Sequence, residues 1–310
     1  MHHVGIDVGG TKLLGVRIDP DRPGQPLAEH RLGTPPGTTA LVDALAALVE
    51  RVDPGGEGAI GVGVPGLVDR GHRFRYGPNL PGVVDLDLAT ILGDRLGRPV
   101  VAGNDATCAA AAEFRIGAGR GHADGVLVTL GTGIGCGVVV DGAVVLGAHG
   151  FAGEPGHMVV DPSGPPCPCG RHGCWERYAS GSGLRWLAQE AAASGRLAVL
   201  VDAAGGVEAV RGEHVVAAAR DGDPEAMAVI ETFADWLALG IANLIAVLDP
   251  SIVVLGGGLM RAADLFLDRA ETVANDQVMG AGHRPRVPVV AASTDESAGA
   301  IGAALLAADA

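Results

Sequence analysis

Thiols, carboxylates at the ends of apolar runs, and glycine–threonine turns are the residues here whose types and spacing could do chemistry. The thiols are densest. From Glu154 to Glu176 the chain reads EPGHMVVDPSGPPCPCGRHGCWE, with Cys167, Cys169 and Cys174 inside eight residues and His157 just upstream. Proline and glycine fill the gaps, which makes this a loop rather than a helix or strand interior. So little apolar material gives it no core of its own. Four soft or borderline donors suit Zn²⁺. The carboxylates Glu154 and Glu176 bracket the run.

Asp7 lies at the end of an apolar strand, His3 to Val8. The turn Gly9-Gly10-Thr11-Lys12 and a second strand, Leu13 to Ile18, follow. Adjacent glycines bring backbone N–H groups close to an anion. A carboxylate at a strand end can orient Mg²⁺ or its waters. An ordinary glycine-rich hairpin has the same sequence signature. The shape returns, however: residues 7–19 can be laid without gaps over residues 129–141, matching Gly9 to Gly131, Gly15 to Gly137 and Asp19 to Asp141. Such an internal repeat predicts two related halves, each opening on a β-hairpin. Two phosphate loops facing each other across a cleft would hold a nucleotide between domains. Neither loop is a GxxxxGK[ST] P-loop. The one GxGxxG, Gly61 to Gly66, is followed by no helical period. It is read as a strand running into a turn at Pro65-Gly66, not as a dinucleotide site.

The elements that must position these groups alternate strand and helix. An apolar strand, Val100 to Gly103, leads through Asn104 and Asp105 into an alanine-rich helix, Ala106 to Arg115. Open α/β sheets place ligands at such junctions, although Asp105 by itself reads first as a helix N-cap. Asn79 carries an amide on a loop. The strand Ser251 to Leu255 runs into Gly256-Gly257-Gly258, where bare backbone could lie against a flat ligand such as adenosine or simply turn tightly. Helical spacing marks Thr39–Val52, Leu184–Ala193, His214–Arg220 and Pro224–Leu248, the last with proline in its first turn. A further helix is expected after Gly258, then a last strand, Val287 to Ala291, and a final helix, Glu296 to Ala308.

Composition narrows the classes. Lys and Arg total 22 against 36 Asp and Glu in 310 residues, a net charge of −14. That opposes broad binding to nucleic acid or anionic membranes. The N-terminus lacks a signal-peptide pattern, and no apolar run reaches the ~18 residues of a bilayer span. A cytoplasmic protein with reduced thiols is expected. Five clustered cysteines fit a metal site better than a disulfide framework. Cys108 and Cys136 read as small packing residues, His172 as solvent-facing, and Arg70 to Arg75 as a basic, solvated loop.

Taken together the motifs resemble the ROK (repressor, open reading frame, kinase) family. CPCGRHGCWE is similar to its C-x-C-G-x-x-G-C-x-E pattern, and Glu154-Pro-Gly-His157 to its E-x-G-H element. Asp7-x-Gly-Gly-Thr-Lys12 and Leu130-Gly-Thr-Gly-Ile-Gly135 resemble its two phosphate elements. Gly103-Asn104-Asp105-Ala106 resembles its catalytic element, and Leu255-Gly-Gly-Gly258 its adenosine element. The likeness runs in the family's order along nearly the whole chain and is greatest to its bacterial ATP-dependent glucokinases.

The resemblance implies an α/β, two-domain, actin-like ATPase (ribonuclease H-like) fold with an interdomain cleft. Residues 1–117 plus 296–310 would form the smaller domain and 118–295 the larger. It implies transfer of the γ-phosphate of ATP to the 6-hydroxyl of a hexose, most simply glucose, with Asp105 as general base. Pro65, Gly66, Asn79, Asn104, Asp105, Glu154, His157 and Glu176 would meet the sugar. Asp7, Gly9, Gly10, Thr11, Lys12, Gly131, Thr132, Gly133, Gly256, Gly257 and Gly258 would meet ATP and its Mg²⁺. His157, Cys167, Cys169 and Cys174 would hold a structural Zn²⁺. Another hexose or N-acetylhexosamine, polyphosphate as donor, and a non-catalytic sugar sensor are the alternatives. The family's repressors carry a DNA-binding domain ahead of the first phosphate loop, and a loop starting at Asp7 leaves no room for one. A homodimer or homotetramer is expected. Where relatives carry an aromatic residue after the Asn-Leu of the sugar loop, this chain has Pro81-Gly82-Val83.

Overall fold

The computed structural model describes all residues, 1–310. The chain opens with strands β1 (His3–Val8), β2 (Lys12–Ile18) and β3 (Ala28–Gly33), then helix α1 (Thr38–Val52) and strands β4 (Ile60–Val64), β5 (Leu67–Val68) and β6 (Phe74–Tyr76). Helix α2 (Leu88–Leu96), strand β7 (Val100–Asn104), helix α3 (Asp105–Ile116) and strands β8 (Gly125–Leu130), β9 (Ile134–Val140) and β10 (Ala143–Val144) follow. The remainder is α4 (Glu176–Ala179), α5 (Gly181–Ala193), α6 (Ala198–Ala204), α7 (Gly212–Arg220), α8 (Pro224–Leu248), β11 (Val253–Gly256), α9 (Leu267–Gln277), β12 (Val289–Ala291) and α10 (Ala298–Ala308).

Two five-stranded sheets share one topology, β3-β2-β1-β4-β7 and β10-β9-β8-β11-β12. In each, a hairpin supplies the central strand and its antiparallel neighbour. Two later strands then extend the sheet on the other side, with β1, β4 and β7 parallel, as are β11 and β12. The internal repeat in the sequence is thus a repeat of structure. Its matched glycines serve matched packing. A Cβ on Gly15 would meet Leu48 of α1 at 2.7 Å, and one on Gly137 would meet the Ala106 carbonyl of α3 at 2.8 Å. The second strand of each hairpin has a helix pressed against it, so side chains are excluded there.

By backbone proximity the chain divides into a first unit, residues 1–127, 136–153 and 292–310, and a second, residues 128–135 and 154–291. The expected boundaries were 1–117 plus 296–310, and 118–295. In the first unit, α1 buries Leu41, Leu45, Leu48 and Val52 along one stripe against the sheet. On the opposite face Ile301 and Leu305 of α10 join Leu14, Val16 and Ile18 of β2. The alanine and glycine content of α10 has a steric cause. It lies so close that a Cβ on Gly5 of β1 or Gly61 of β4 would overlap its Ala300 or Ala303 carbonyl. Helix α3 is pinned at its far end by Glu113, which is 1% exposed. That carboxylate accepts from Ala118 N (2.8 Å), Thr294 N (2.8 Å) and the Thr294 hydroxyl.

In the second unit, α8 is the core. Asp223 caps it, accepting from Glu225 N (2.8 Å) and Ala226 N (3.1 Å) ahead of Pro224, and Asp249 ends it in a left-handed conformation, φ 46°. It is the one helix long and apolar enough to span a bilayer, and 61% of its apolar window is buried inside the protein.

The basic stretch Arg70 to Arg75 is solvent-exposed at Arg70, Gly71 and Arg75, as expected, and it turns the β5–β6 hairpin. Its charges are matched, Arg73 with Asp87 (2.7 Å) and Arg75 with Asp85 (2.8 Å) and Asp69 (3.0 Å). After Gly258 the expected helix is delayed, because a 3₁₀ segment, Gly258–Leu265, precedes α9.

The cysteine loop is also held differently from the expectation. Its C-terminal end has an apolar anchor: Trp175 is fully buried, with Nε1 donating to the Trp236 carbonyl at 2.9 Å. Tyr178 stacks on Trp236 at 4.1 Å and donates to Asp161 at 2.9 Å. The indole occupies the space over Gly240, where a Cβ would overlap the ring. Gly240→Ala should therefore lower stability by about 1–3 kcal/mol through overpacking. Denaturant titration monitored by tryptophan fluorescence checks this, and an unchanged midpoint would contradict the anchor.

Candidate active site

In the first unit the structure gathers Asp7, Gly10, Pro65, Gly66, Asn79, Asn104 and Asp105. The helix N-cap at this junction is Asn104, not Asp105. Its Oδ1 accepts from Ala106 N (2.9 Å) and Thr107 N (3.1 Å), while its Nδ2 donates to the Gly66 carbonyl at 3.1 Å. Only an amide does both, since a carboxylate accepts only. Asp105 thereby falls in the first helical turn, half-buried, with Oδ1 accepting from Ala106 N at 2.8 Å. Gly66, at φ 134°, presses against the Tyr76 carbonyl, and a Cβ on Gly10 would meet the Asn79 carbonyl at 3.4 Å. The first phosphate turn closes with Gly9 N donating to Lys12 O at 2.8 Å and Thr34 Oγ1 to Gly9 O at 2.6 Å. The Lys12 ammonium is paired with Glu296, which also receives Arg31 at 3.0 Å.

Electrostatics marks Asp7. Burial and then the nearby charge of Asp105, opposed by Lys12, push its carboxyl up to about 7. A buried carboxylate beside another carboxylate favours a proton or a cation.

In the second unit, Gly131, Thr132 and Gly133 form the turn between β8 and β9. Gly131 and Thr132 carbonyls accept from Gly181 N (2.8 Å) and Ser182 N (3.3 Å), which seats the start of α5 on this loop. A Cβ on Gly133 would lie 2.6 Å from Glu176 Oε2, so the loop and that carboxylate are neighbours. Gly257, at φ 90°, backs onto Leu130, where a side chain would collide with the strand. Gly131, Thr132 and Gly258 open onto a cavity of about 890 Å³. Gly256 is buried at the end of β11.

Sequence reasoning missed the cavity's cations. Arg185, Arg211, Arg220 and Arg261 line it, with Glu213 as its only carboxylate. Arg220 forks onto Asp264 (2.7 and 3.3 Å) and donates to the Arg261 carbonyl, tying α7 to the 3₁₀ segment. Part of this was readable: Gly212, Val216 and Arg220 recur every four residues along α7, one helical face.

The carboxylates and thiols meet as well. Burial, then the charge of Glu176, holds the Glu154 carboxyl above the usual carboxylate range. Cys167 Sγ lies 3.2 Å from Glu176 Oε1 and 3.8 Å from His157 Nδ1, and Cys169 Sγ lies 3.5 Å from Cys174 Sγ. The ligand atoms of His157, Cys167, Cys169 and Cys174 all lie within 4.8 Å of one another. Tetrahedral Zn²⁺ with bonds of about 2.3 Å to sulfur puts neighbouring ligand atoms about 3.8 Å apart, so these donors fit that metal. Burial pushes the Cys169 thiol up, but the Arg171 backbone N–H, the Cys167 thiol, the Arg171 guanidinium and the Cys174 thiol outweigh it and bring the group down to about 7. Cys108 and Cys136 are buried and His172 is exposed.

These two sets, a capped carboxylate junction and a glycine loop beside a cation-lined cavity, define a phosphate-handling α/β protein. The ROK family model matches residues 3–310, and the chain belongs to that family. It is 38% identical to the glucokinase of Streptomyces coelicolor over 309 residues, 98% of this chain and 96% of the relative. It is 36% identical to the N-acetylmannosamine kinase of Citrobacter koseri over 311 residues, 99% of each. The crystal structure of a ROK family glucokinase from Streptomyces griseus, in complex with glucose and AMPPNP, superimposes with a TM-score of 0.85 at 37% identity, covering 100% of both chains. The fold is the actin-like ATPase fold of that enzyme.

Asp7 also makes stability depend on pH. With its carboxyl at about 7 when folded and near 3.8 when unfolded, folding takes up a proton between those values. Stability is therefore lost as pH rises through that window and levels off above it. Asp7→Asn removes this loss. Thermal melts without nucleotide or divalent cation should show the variant gaining on the parent between about pH 4 and pH 7. Parallel curves would contradict the assignment.

Proposed function

We propose that this chain is an ATP-dependent hexokinase that phosphorylates glucose on its 6-hydroxyl. The observation that carries the reading is the junction in which Asn104 takes the N-cap and Asp105 stands near the half-buried carboxylate Asp7. Phosphoryl transfer needs an acceptor for the attacking hydroxyl's proton, in-line placement and charge neutralisation. Asp105 takes the proton. Asp7 is the residue that would hold the Mg²⁺ accompanying ATP, whose charge would offset that of the two carboxylates. In the turns Gly9 to Lys12 of the first unit and Gly131 to Gly133 of the second, Gly9 and Gly131 spend their N–H groups closing the turn, and those of Gly10, Thr11, Thr132 and Gly133 are offered to phosphate oxygens. Gly256 to Gly258 and the arginine-lined cavity take the rest of the nucleotide.

Sugar contacts are assigned unit by unit: Pro65, Gly66, Asn79 and Asn104 in the first, Glu154, His157 and Glu176 in the second. The Glu154 carboxylate, crowded by burial and by the charge of Glu176, accepts from a sugar hydroxyl. His157, Cys167, Cys169 and Cys174 hold Zn²⁺ as a closed structural site. Bound there, the ion fixes the loop that carries Glu176, and the reaction proceeds without passing through it. Similarity to glucokinases of the family supports glucose as the sugar; the reading takes the cytoplasm as the compartment and a homodimer or homotetramer as the working form. The comparable identity of the N-acetylmannosamine kinase makes that sugar the second reading.

An ADP-release assay over a hexose panel, with MgATP and then polyphosphate, should give its highest kcat/KM with glucose and ATP. Absence of turnover with every hexose would sink the kinase reading, and preference for N-acetylmannosamine would replace the substrate. Asp105→Asn should lower kcat by about 10²–10⁴-fold while calorimetry shows glucose still binding. A variant retaining parental kcat would remove Asp105 as the base. Metal analysis should find about one Zn²⁺ per chain. Cys169→Ser should lose it and raise the sugar KM with little change in ATP KM, whereas an active, metal-free parent would refute the clamp.

A further inference from the structure

The β5–β6 hairpin lies outside the site derived above, yet one of its residues is bound to the strand that delivers Asp105. His72 occupies the hairpin turn with φ 61°, the left-handed region. For a side-chain-bearing residue this costs about 1–2 kcal/mol relative to the right-handed region, and glycine would adopt it without that cost. The turn is otherwise well made. Asp69 Oδ1 accepts from Gly71 N (2.9 Å) and Arg73 N (3.1 Å), and His72 N donates to Asp69 O at 2.9 Å. Nothing in the turn calls for an imidazole.

The imidazole reaches outward. Its Nδ1 lies 2.8 Å from the carbonyl oxygen of Ala102. A carbonyl only accepts, so Nδ1 carries the proton. Ala102 belongs to β7, the edge strand of its sheet, whose ladder partner is β4. An edge carbonyl without a strand partner is satisfied by water or by a side chain, and here the ring of His72 supplies the donor. Two residues further on, Asn104 binds the turn that leads into the hairpin, through Gly66 O at 3.1 Å, while capping α3. The last three residues of β7 are thus tied once to the hairpin and once to the turn at its base, and Asp105 follows directly.

We propose that His72 is a positioning residue: its ring N–H on Ala102 locks the end of β7 to the β5–β6 hairpin and thereby sets where Asp105 stands. The proposal rests on the reading of Asp105 as general base. It acts through Ala102 and Asn104, and His72 touches no substrate.

Two variants separate the hydrogen bond from the backbone. His72→Gly removes the donor and the strained side chain together. His72→Asn keeps a residue tolerant of the left-handed region and places an amide N–H where Nδ1 was. The expected result for His72→Gly is a kcat lower by about 10–100-fold, as for small misplacements of a catalytic group. Its KM for glucose and ATP should stay within about twofold and its Tm should be unchanged or higher, because strain is relieved. His72→Asn should recover most of the kcat. A role in stability alone would move Tm and leave kcat of the folded enzyme intact. Full kcat in His72→Gly, or equal loss in both variants, overturns the proposal. Amide hydrogen exchange at Ala106 and Thr107 gives a readout without turnover: faster exchange is expected in His72→Gly and parental exchange in His72→Asn, and parental rates in His72→Gly would overturn the lock. Asp105→Asn run in parallel distinguishes the two failures. If that variant stays active while the exchange result holds, the base assignment fails and the positioning survives.

Discussion

The amide of Asn104 is the constraint on which the first unit's site depends. One short side chain closes the N-terminus of α3 with two accepted hydrogen bonds and holds the turn after β4 with a donated one. Three pieces of chain from different parts of the sequence meet there: the end of β7, the start of α3 and the Pro65-Gly66 turn. Because the cap is taken by its neighbour, Asp105 occupies the first helical turn, where the helix dipole favours its charge. At the other end of α3, Glu113 is buried with backbone donors from residues 118 and 294. The helix is fixed at both ends, so the carboxylate at its start cannot drift by tilting.

The second theme is like charge kept in pairs. The charge of Asp105 raises the cost of ionising Asp7, and that of Glu176 the cost of ionising Glu154. Folding alone gains nothing from such pairs, and an arrangement that recurs in both units is better understood as waiting for cations and hydroxyl groups. The guanidinium groups around the second unit's cavity form the complementary case. They hold positive charge in a chain whose net charge is −14, so an anionic ligand finds there the field that the surface as a whole denies it.

Much of the fold was legible. Strand β1 and helix α8 have the residue limits expected, because alternation, an aspartate cap and proline at the first helical position are local signals. The topological repeat followed from matched glycines. Strand β3 gave no such signal: it is an edge strand of sequence AEHRLG with alternate residues exposed, so little apolar pattern remains to read. Helix α2 carried readable marks, the Asp87 cap and left-handed Gly97, but sits among charged residues that resemble loop. The hold on the cysteine loop was only half legible. Thiols advertise a metal by spacing, whereas the fit of Trp175 over Gly240 joins residues far apart in the chain.

By itself the sequence determined the long, strongly patterned elements, the doubled hairpin, the donor set of the thiol loop and the family, because each depends on spacing within a short stretch. Only the tertiary structure decided which of Asn104 and Asp105 caps α3. Local propensity accepts either residue; the Gly66 carbonyl, brought in from another segment, needs a donor, and only the amide has one. The same holds for the four arginines around the cavity, which α5, α7 with its N-cap, and the 3₁₀ segment bring together, and for His72, whose backbone cost makes sense only once the edge of β7 lies beside its ring. Spacing along the chain reports chemistry that is local. Hydrogen-bond partners supplied from distant segments exist only after the chain has folded.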